Sequence, residues 1–329
     1  MVIYNILIYM SKEVAAPAPA GEVEVAIAGE EKKPAIQQTP NRIEQLQFIK
    51  LNHKYDPEGP FKWLKKHVVD KNVKLPLTFS LATRYKVKIY DQGQLGSCVV
   101  NSFAGVINSL YNVSPSRLYN YFTARVATGN SPVVDSGLGI TQSFPYFNSF
   151  GYVPESNWEY DIENFTLMPP IDIFKQSSKF NFTYKAVKQD SESIKHALYT
   201  TGFVMFGIDI YSSFKTEDVP RTGIIPIPNK ETEDKLGGHC LNIIGWTMIN
   251  NELYYIVRNS WGASWGNDGS TTPTENYKNF GNNGGFAYFP ERYMLDPTLA
   301  NEFCVIQRSK KEMKKDKLRE NVKNKKLKK

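Results

Sequence analysis

The stretch Tyr90-Asp91-Gln92-Gly93-Gln94-Leu95-Gly96-Ser97-Cys98 runs directly into Val99-Val100-Asn101-Ser102-Phe103-Ala104-Gly105-Val106-Ile107-Asn108-Ser109-Leu110, and its character changes at Cys98. Two glycines among polar neighbours make the first part a loop. In the second part Val99, Val100, Phe103, Val106, Ile107 and Leu110 recur at three- and four-residue spacing, which predicts a helix with a buried stripe. Cys98 then falls in the first helical turn, where unpaired N–H groups and the positive end of the helix dipole favour a thiolate. A lone cysteine is more often an inert core residue. Its place at a helix start behind a glycine loop makes it a candidate nucleophile.

A thiol nucleophile needs a base, and the chain has four histidines: His53, His67, His196 and His239. His53 and His67 lie in an irregular N-terminal stretch. His196 sits among Ser193, Lys195 and Thr200 on a short helix, where a solvated position is expected. His239 stands between Gly237-Gly238 and the apolar run Cys240-Leu241-Asn242-Ile243-Ile244-Gly245-Trp246, which reads as a buried strand. A second strand, Leu253-Tyr254-Tyr255-Ile256-Val257-Arg258, follows a turn around Met248-Ile249-Asn250-Asn251 and ends at Asn259-Ser260-Trp261-Gly262. An antiparallel hairpin folded at that turn brings His239 and Asn259 to one end of the sheet, where an amide oxygen can hold the imidazole in one tautomer. The indole of Trp261 is placed to keep water off the contact. A cysteine, histidine and asparagine in that order follow the logic of a Cys-His-Asn hydrolase.

These residues resemble the papain-like, or cathepsin-type, cysteine peptidases. The resemblance covers about residues 75–308 and rests on Asp91–Cys98, on Gly237-Gly238-His239, and on Arg258-Asn259-Ser260-Trp261-Gly262 through Trp265-Gly266. Gly151-Tyr152-Val153-Pro154-Glu155 with Trp158-Glu159-Tyr160, and Leu118–Arg125, are similar to the branch found in bacteria and large DNA viruses. A chain with 19 Tyr and 19 Phe and many Lys and Asn suits an AT-rich genome, and a giant virus is the expected source. The resemblance implies thiol-dependent hydrolysis of a protein or peptide substrate. Cys98 would be the nucleophile, His239 the base and later the acid, Asn259 the orienting group, Trp261 a support and Gln92 the side-chain donor of the oxyanion hole, with no cofactor and no metal. By analogy the Cys98 thiol is expected to have a depressed pKa.

The implied fold is α+β in two lobes: a helical lobe over 75–184, centred on the Cys98 helix, and an antiparallel sheet or barrel lobe over 185–308, with the active site in the cleft between. Phe203–Ile210 is expected as the first strand of the second lobe. The sequence also departs from the family. Leu95 stands where secreted members carry a disulfide cysteine, Val99 replaces a frequent large residue, and an Asn-, Thr- and Gly-rich insertion separates Gly269 from Gly285. The leader lacks the long charged helix of lysosomal zymogens, so self-processing is not expected.

The chain has 329 residues, 41% hydrophobic and 22% charged, which excludes wholesale disorder and a membrane bundle. Its net charge of +7 invites a nucleic-acid reading until the charges are located. Residues 309–329 hold 11 Lys or Arg against 3 acids, a net of +8, leaving −1 for the rest. The basic tail is expected to be disordered and solubilising, with a nucleic-acid or anionic-surface anchor as its alternative. Cys98, Cys240 and Cys304 are too few for a disulfide framework, so a reducing compartment, host cytoplasm or virion, is expected, with Cys240 and Cys304 as core residues. Three Asn-x-Ser/Thr sequons carry little weight.

Residues 1–40 read as a polar, disordered leader. Met1–Met10 is nearly all apolar but too short to span a bilayer, which needs about 20 apolar residues. It is read as lying upstream of a true start at Met10, a weak signal peptide being the alternative. Residues 41–74, in which Phe61, Leu64 and Val68 share one helical face, form either a strap packed on the main fold or an inhibitory pro-segment. The rival to the enzyme reading is a catalytically silent scaffold or virion component tethered to nucleic acid by the tail.

Overall fold

A computed structural model describes residues 50–179, 181–270 and 284–309. The chain divides into two compact units, Met1–Gln47 and Phe48–Lys329, and all the described residues belong to the second. The leader, most of the insertion after Gly269 and all but the first residue of the basic tail lie outside the described residues.

The central element is helix α1, Cys98–Tyr111. Its predicted stripe is present, but Cys98 to Ile107 are all buried, so the helix is enclosed almost all round. Helices α2 (Arg117–Ala127) and α3 (Ile140–Phe150) pack beside it. Phe103 of α1 stacks on Phe147 of α3 at 4.3 Å and meets Phe182 at 5.2 Å, so the helices are tied to the sheet edge through aromatic rings. A one-turn α4 (Ile171–Lys175) and α5 (Ser191–Thr200), capped by Asp190, complete the helices used below.

Seven antiparallel strands form one sheet: β1 (Phe79–Ser80), β2 (Phe182–Ala186), β3 (Val204–Tyr211), β4 (Lys235–Ile249), β5 (Glu252–Arg258), β6 (Phe286–Pro290) and β7 (Ala300–Arg308). The order is β2-β7-β3-β4-β5-β6, with β1 paired to β4. The sheet and helices give the expected α+β class. The expected hairpin is β4–β5, closed by Asn250 and Asn251 with φ of 50° and 64°, the left-handed pair that suits a tight two-residue turn. A register shift between Ile243 and Gly245 puts Asn242 opposite Arg258. The strand expected at Phe203–Ile210 is β3, preceded along the chain by β2 and lying between β7 and β4 in the sheet.

The segment from Lys50 onward is a strap. It makes isolated parallel bridges at Asn52–Gly238, His53–Leu138 and Lys66–Ala186. The helical face expected through Phe61, Leu64 and Val68 is not formed: only a 3₁₀ turn, Pro60–Trp63, appears, and Val68 is exposed. The backbone is instead committed to pairing with the body, as His67 N donates to Ala186 O at 2.7 Å and Ala186 N to Lys65 O at 3.0 Å. His196, expected to be solvated, is 4% exposed because this strap covers it. Its Nδ1 lies 2.8 Å from His67 Nε2, and its Nε2 accepts the Asp70 N–H at 3.0 Å.

Candidate active site

The loop before α1 is held from behind by charged and phenolic groups. Arg117 pairs with Glu155 and donates to Asp91 O and to Asn101 Oδ1, each at 2.8 Å. Tyr160 donates to Gln92 O at 3.0 Å and meets Ser97 Oγ at 2.5 Å. The Arg117 and Tyr160 motifs thus fix the loop that carries Gln92 into Cys98. Buried Arg125 binds Pro132 O and Val134 O at 2.8 Å, fixing the facing loop that carries Asp135 and Leu138.

On the sheet side, β4 presents His239 and the chain leaving β5 presents Asn259, both buried. Asn259 Oδ1 accepts the backbone N–H of Ser260 at 2.8 Å, which identifies that atom as the oxygen. His239 Nε2 lies 2.9 Å from the same oxygen and must therefore carry the proton. Nδ1 is left with the lone pair and with no hydrogen-bond partner. Trp261 stacks over the imidazole, centroids 5.1 Å apart, and is backed edge-on by Trp265. Gln92 is tied to the same corner: its Oε1 accepts from Ser260 Oγ at 2.7 Å, and its N–H donates to Ser260 O at 2.8 Å. Its Nε2 hydrogens go to Leu95 O at 3.0 Å and Lys50 O at 3.2 Å. Ser260, unremarked in the sequence, links Gln92 to Asn259. The signal available was its position beside the asparagine.

Cys98 opens α1 and is fully buried, its thiol approached by backbone groups of Cys240 and Asn52. Those two contacts place it between β4, one residue from His239, and the strap. The expected depressed pKa is corrected here: burial pushes the thiol up to about 11, and it holds His239 down to about 4. With water excluded, the charged form of either group lacks solvation, so burial favours the neutral form of each. Cys240 and Cys304 are free, buried and also raised by burial.

What excludes the water is the strap. His53 N donates to Gly238 O at 2.9 Å and Lys54 N to Leu138 O at 3.2 Å, so the segment is pinned to both walls of the cleft. A Cβ at Gly238 would overlap the His53 carbonyl, and one at Gly137 the Asn52 carbonyl, so both glycines are needed for this approach. Asn52 Nδ2 donates to Asp135 O at 3.1 Å, and Lys50 pairs with the Asp135 carboxylate at 3.2 Å. Asp135 also receives the Gly96 N–H and the Tyr121 hydroxyl. Among the described residues no cluster of His, Cys, Asp and Glu is arranged to hold a metal ion, and no helix is long and apolar enough to cross a membrane.

The model of the papain family of cysteine proteases matches residues 75–283. The chain is 33% identical over 233 residues to an uncharacterized peptidase C1-like protein of Acanthamoeba polyphaga mimivirus, covering 66% of this chain and 68% of that protein. It is 27% identical over 200 residues to the viral cathepsin of Heliothis zea nuclear polyhedrosis virus, covering 60% of this chain and 52% of that one, about half its length. Among solved structures, xylellain, a cysteine protease from Xylella fastidiosa, is similar with a TM-score of 0.64 at 24% identity, over 80% of this chain and 98% of that one. The large-virus likeness of the sequence motifs agrees with the two viral relatives. The match spans the Cys98 loop and the His239 and Asn259 strands alike, and the chain belongs to the papain family of cysteine proteases.

Proposed function

We propose that the chain hydrolyses peptide bonds through Cys98, His239 and Asn259, with Gln92 in the oxyanion hole, and that the strap-bound form is latent. The observation that carries this is the hydrogen-bonded chain Gln92–Ser260–Asn259–His239, which leaves His239 Nδ1 as a lone-pair base on the strand that borders the thiol.

With the strap out, Nδ1 takes the thiol proton and the sulfur attacks the substrate carbonyl carbon. The carbonyl oxygen becomes an oxyanion held by Gln92 Nε2 and the Cys98 backbone N–H. In the latent form the Lys50 carbonyl takes that Gln92 hydrogen bond. The imidazolium then gives its proton to the departing amine, leaving a thioester. Water, deprotonated by Nδ1, cleaves the thioester and returns the thiol. Asn259 keeps Nε2 protonated through every step, and Trp261 shields that bond.

The substrate is a protein or peptide, and the three free cysteines suit a reducing setting. The silent-scaffold reading is favoured by one observation, the complete burial of Cys98. Turnover of a fluorogenic peptide library separates the two. With the strap weakened by His53→Ala, the chain carrying Cys98 should cleave and its Cys98→Ala counterpart should not, whereas equal signals from those two would leave only the scaffold.

A further inference from the structure

The two donors assigned to the oxyanion, the Gln92 side chain and the Cys98 backbone N–H, stand at opposite ends of one loop. What spans those ends is a set of side chains whose proton directions can all be assigned. Arg117 starts it: Nε and Nη2 are taken by the Glu155 carboxylate at 2.8 Å each, and Nη1 donates to Asp91 O and Asn101 Oδ1, also at 2.8 Å. Accepting there identifies Oδ1 as the Asn101 oxygen, and Nδ2 donates to Ser97 O at 3.0 Å and to Ser97 Oγ at 2.9 Å. Tyr160 has one proton. Gln92 O can only accept, so the phenol donates there at 3.0 Å and must accept from Ser97 Oγ, 2.5 Å away. Burial holds the phenol above its usual pKa, so the proton stays on its oxygen. The bonds therefore run one way, from the guanidinium through Asn101, Ser97 and Tyr160 to the Gln92 carbonyl, and they join residue 92 to the residue before Cys98.

Two further observations tie this circuit to the loop. Ser97 is the N-cap of α1, where a serine ordinarily accepts an N–H of the first turn, yet it makes no such bond and its hydroxyl is committed to Tyr160. The Arg117 guanidinium lies 3.6 Å from the centre of the Tyr160 ring and 4.6 Å from that of Tyr90, so stacking fixes the ring independently of what the hydroxyl does. Donors preorganised around a developing charge are effective only within about 0.5 Å of the productive geometry. A rigid link between the two ends of the loop supplies that precision.

We propose that Tyr160 is a positioning residue of the oxyanion hole: anchored on Arg117, its hydroxyl sets the separation of the Gln92 amide and the Cys98 N–H. This rests on the Gln92 assignment above and extends it to a residue that acts through the loop.

The test uses the full chain with the strap weakened by His53→Ala, and two probes built on one peptide. The aldehyde becomes tetrahedral when Cys98 adds to it, and its oxygen then occupies the oxyanion hole. The mixed disulfide is attacked at sulfur, joining the peptide to Cys98 and expelling a thiolate, with no oxyanion formed. Intact mass gives the rate of disulfide labelling, and protection from that labelling gives the aldehyde Kd. Tyr160→Phe, which keeps the ring on Arg117, should weaken the aldehyde about tenfold, a part of the ~10²- to 10³-fold that one oxyanion donor carries, and change the disulfide rate less than about twofold. Gln92→Ala should weaken the aldehyde further, and adding Tyr160→Phe to it should then cost less than about threefold, because one of the two donors to be aligned is gone. An aldehyde Kd that moves in Gln92→Ala but not in Tyr160→Phe overturns the positioning role. So does an equal loss for both probes in Tyr160→Phe, or a full tenfold loss in the double variant. A Kd unmoved by Gln92→Ala overturns the Gln92 assignment and the proposal with it, and no reaction of Cys98 with either probe overturns the peptidase reading on which both rest.

Discussion

Replacing His53 by alanine should open the cleft. The imidazole is almost fully buried, and its loss leaves a hole beside Gly207 while sparing the backbone bonds to Gly238 and Leu138. Truncating a large buried side chain costs roughly 2 to 5 kcal/mol. Glu302, whose carboxyl faces His53 Nε2 at 3.6 Å, regains water in the variant, which offsets part of that loss, so about 2 to 3 kcal/mol is expected in favour of the open state. If a peptidyl epoxide reaches Cys98 only in open molecules, its rate follows the open fraction, and each ~1.4 kcal/mol is tenfold. Labelling of Cys98 in His53→Ala at pH 7 should therefore run about 30- to 150-fold faster than in wild type. The readout is intact mass against time, with circular dichroism to confirm the fold. A change under about threefold would refute the strap as the gate, because a plug seated between both walls of the cleft cannot be weakened without effect.

Further outcomes follow from the same geometry. His239→Ala should abolish peptide turnover, as should Cys98→Ala. Asn259→Ala, which frees the ring without removing the base, should lose less, and Gln92→Ala about 10²- to 10³-fold, as expected for one oxyanion donor. Turnover by His239→Ala above that of Asn259→Ala would invert the assigned roles. The strap should loosen as pH falls from 6.5 towards 4: burial holds His53 and His67 near 4 in the docked form, so the released form binds the extra protons and docking is stable only above that window. Glu302, raised to about 7, works in the opposite direction as one group against three, since His239 is also held near 4 by burial under the strap. Hydrogen exchange at the Lys54 and His67 amides, corrected for intrinsic rate, should show protection falling on acidification. Constant protection would rule out histidine control. If the basic tail anchors the chain to nucleic acid, affinity for a random oligonucleotide should fall log-linearly with salt and vanish on deletion after Arg308 while turnover persists. Equal affinities with and without residues 309–329 would remove the anchor.

Much of the site was legible in the sequence because its parts sit on strongly patterned elements. The apolar spacing after Cys98 specifies α1, and two apolar runs around Asn250-Asn251 specify the hairpin that brings His239 and Asn259 to one end. The hairpin register was less legible, because the shift near Ile244 has no periodic signature. The strap was legible only as one of two alternatives, a strap on the main fold or an inhibitory pro-segment, and its seat was not legible. It pairs through single bridges whose partners, Leu138 and Gly238, are far apart in sequence, and its contacts are mostly backbone, which no side-chain pattern reports. That omission explains two others. His196 looked solvated because nothing in its own helix predicts the His67 ring above it, and Cys98 looked ionised because its environment depends on Asn52.

The central claim is that Cys98 is a nucleophile activated by His239. The most direct measurement is peptide mapping of the full chain after reaction with a peptidyl epoxide at pH ~6, in wild type and in His239→Ala. The account predicts an adduct on the Cys98 sulfur alone, faster in the wild type than in the variant, with Cys240 and Cys304 untouched. Modification of Cys240 or Cys304 ahead of Cys98, or equal labelling of Cys98 with and without the His239 imidazole, would contradict it.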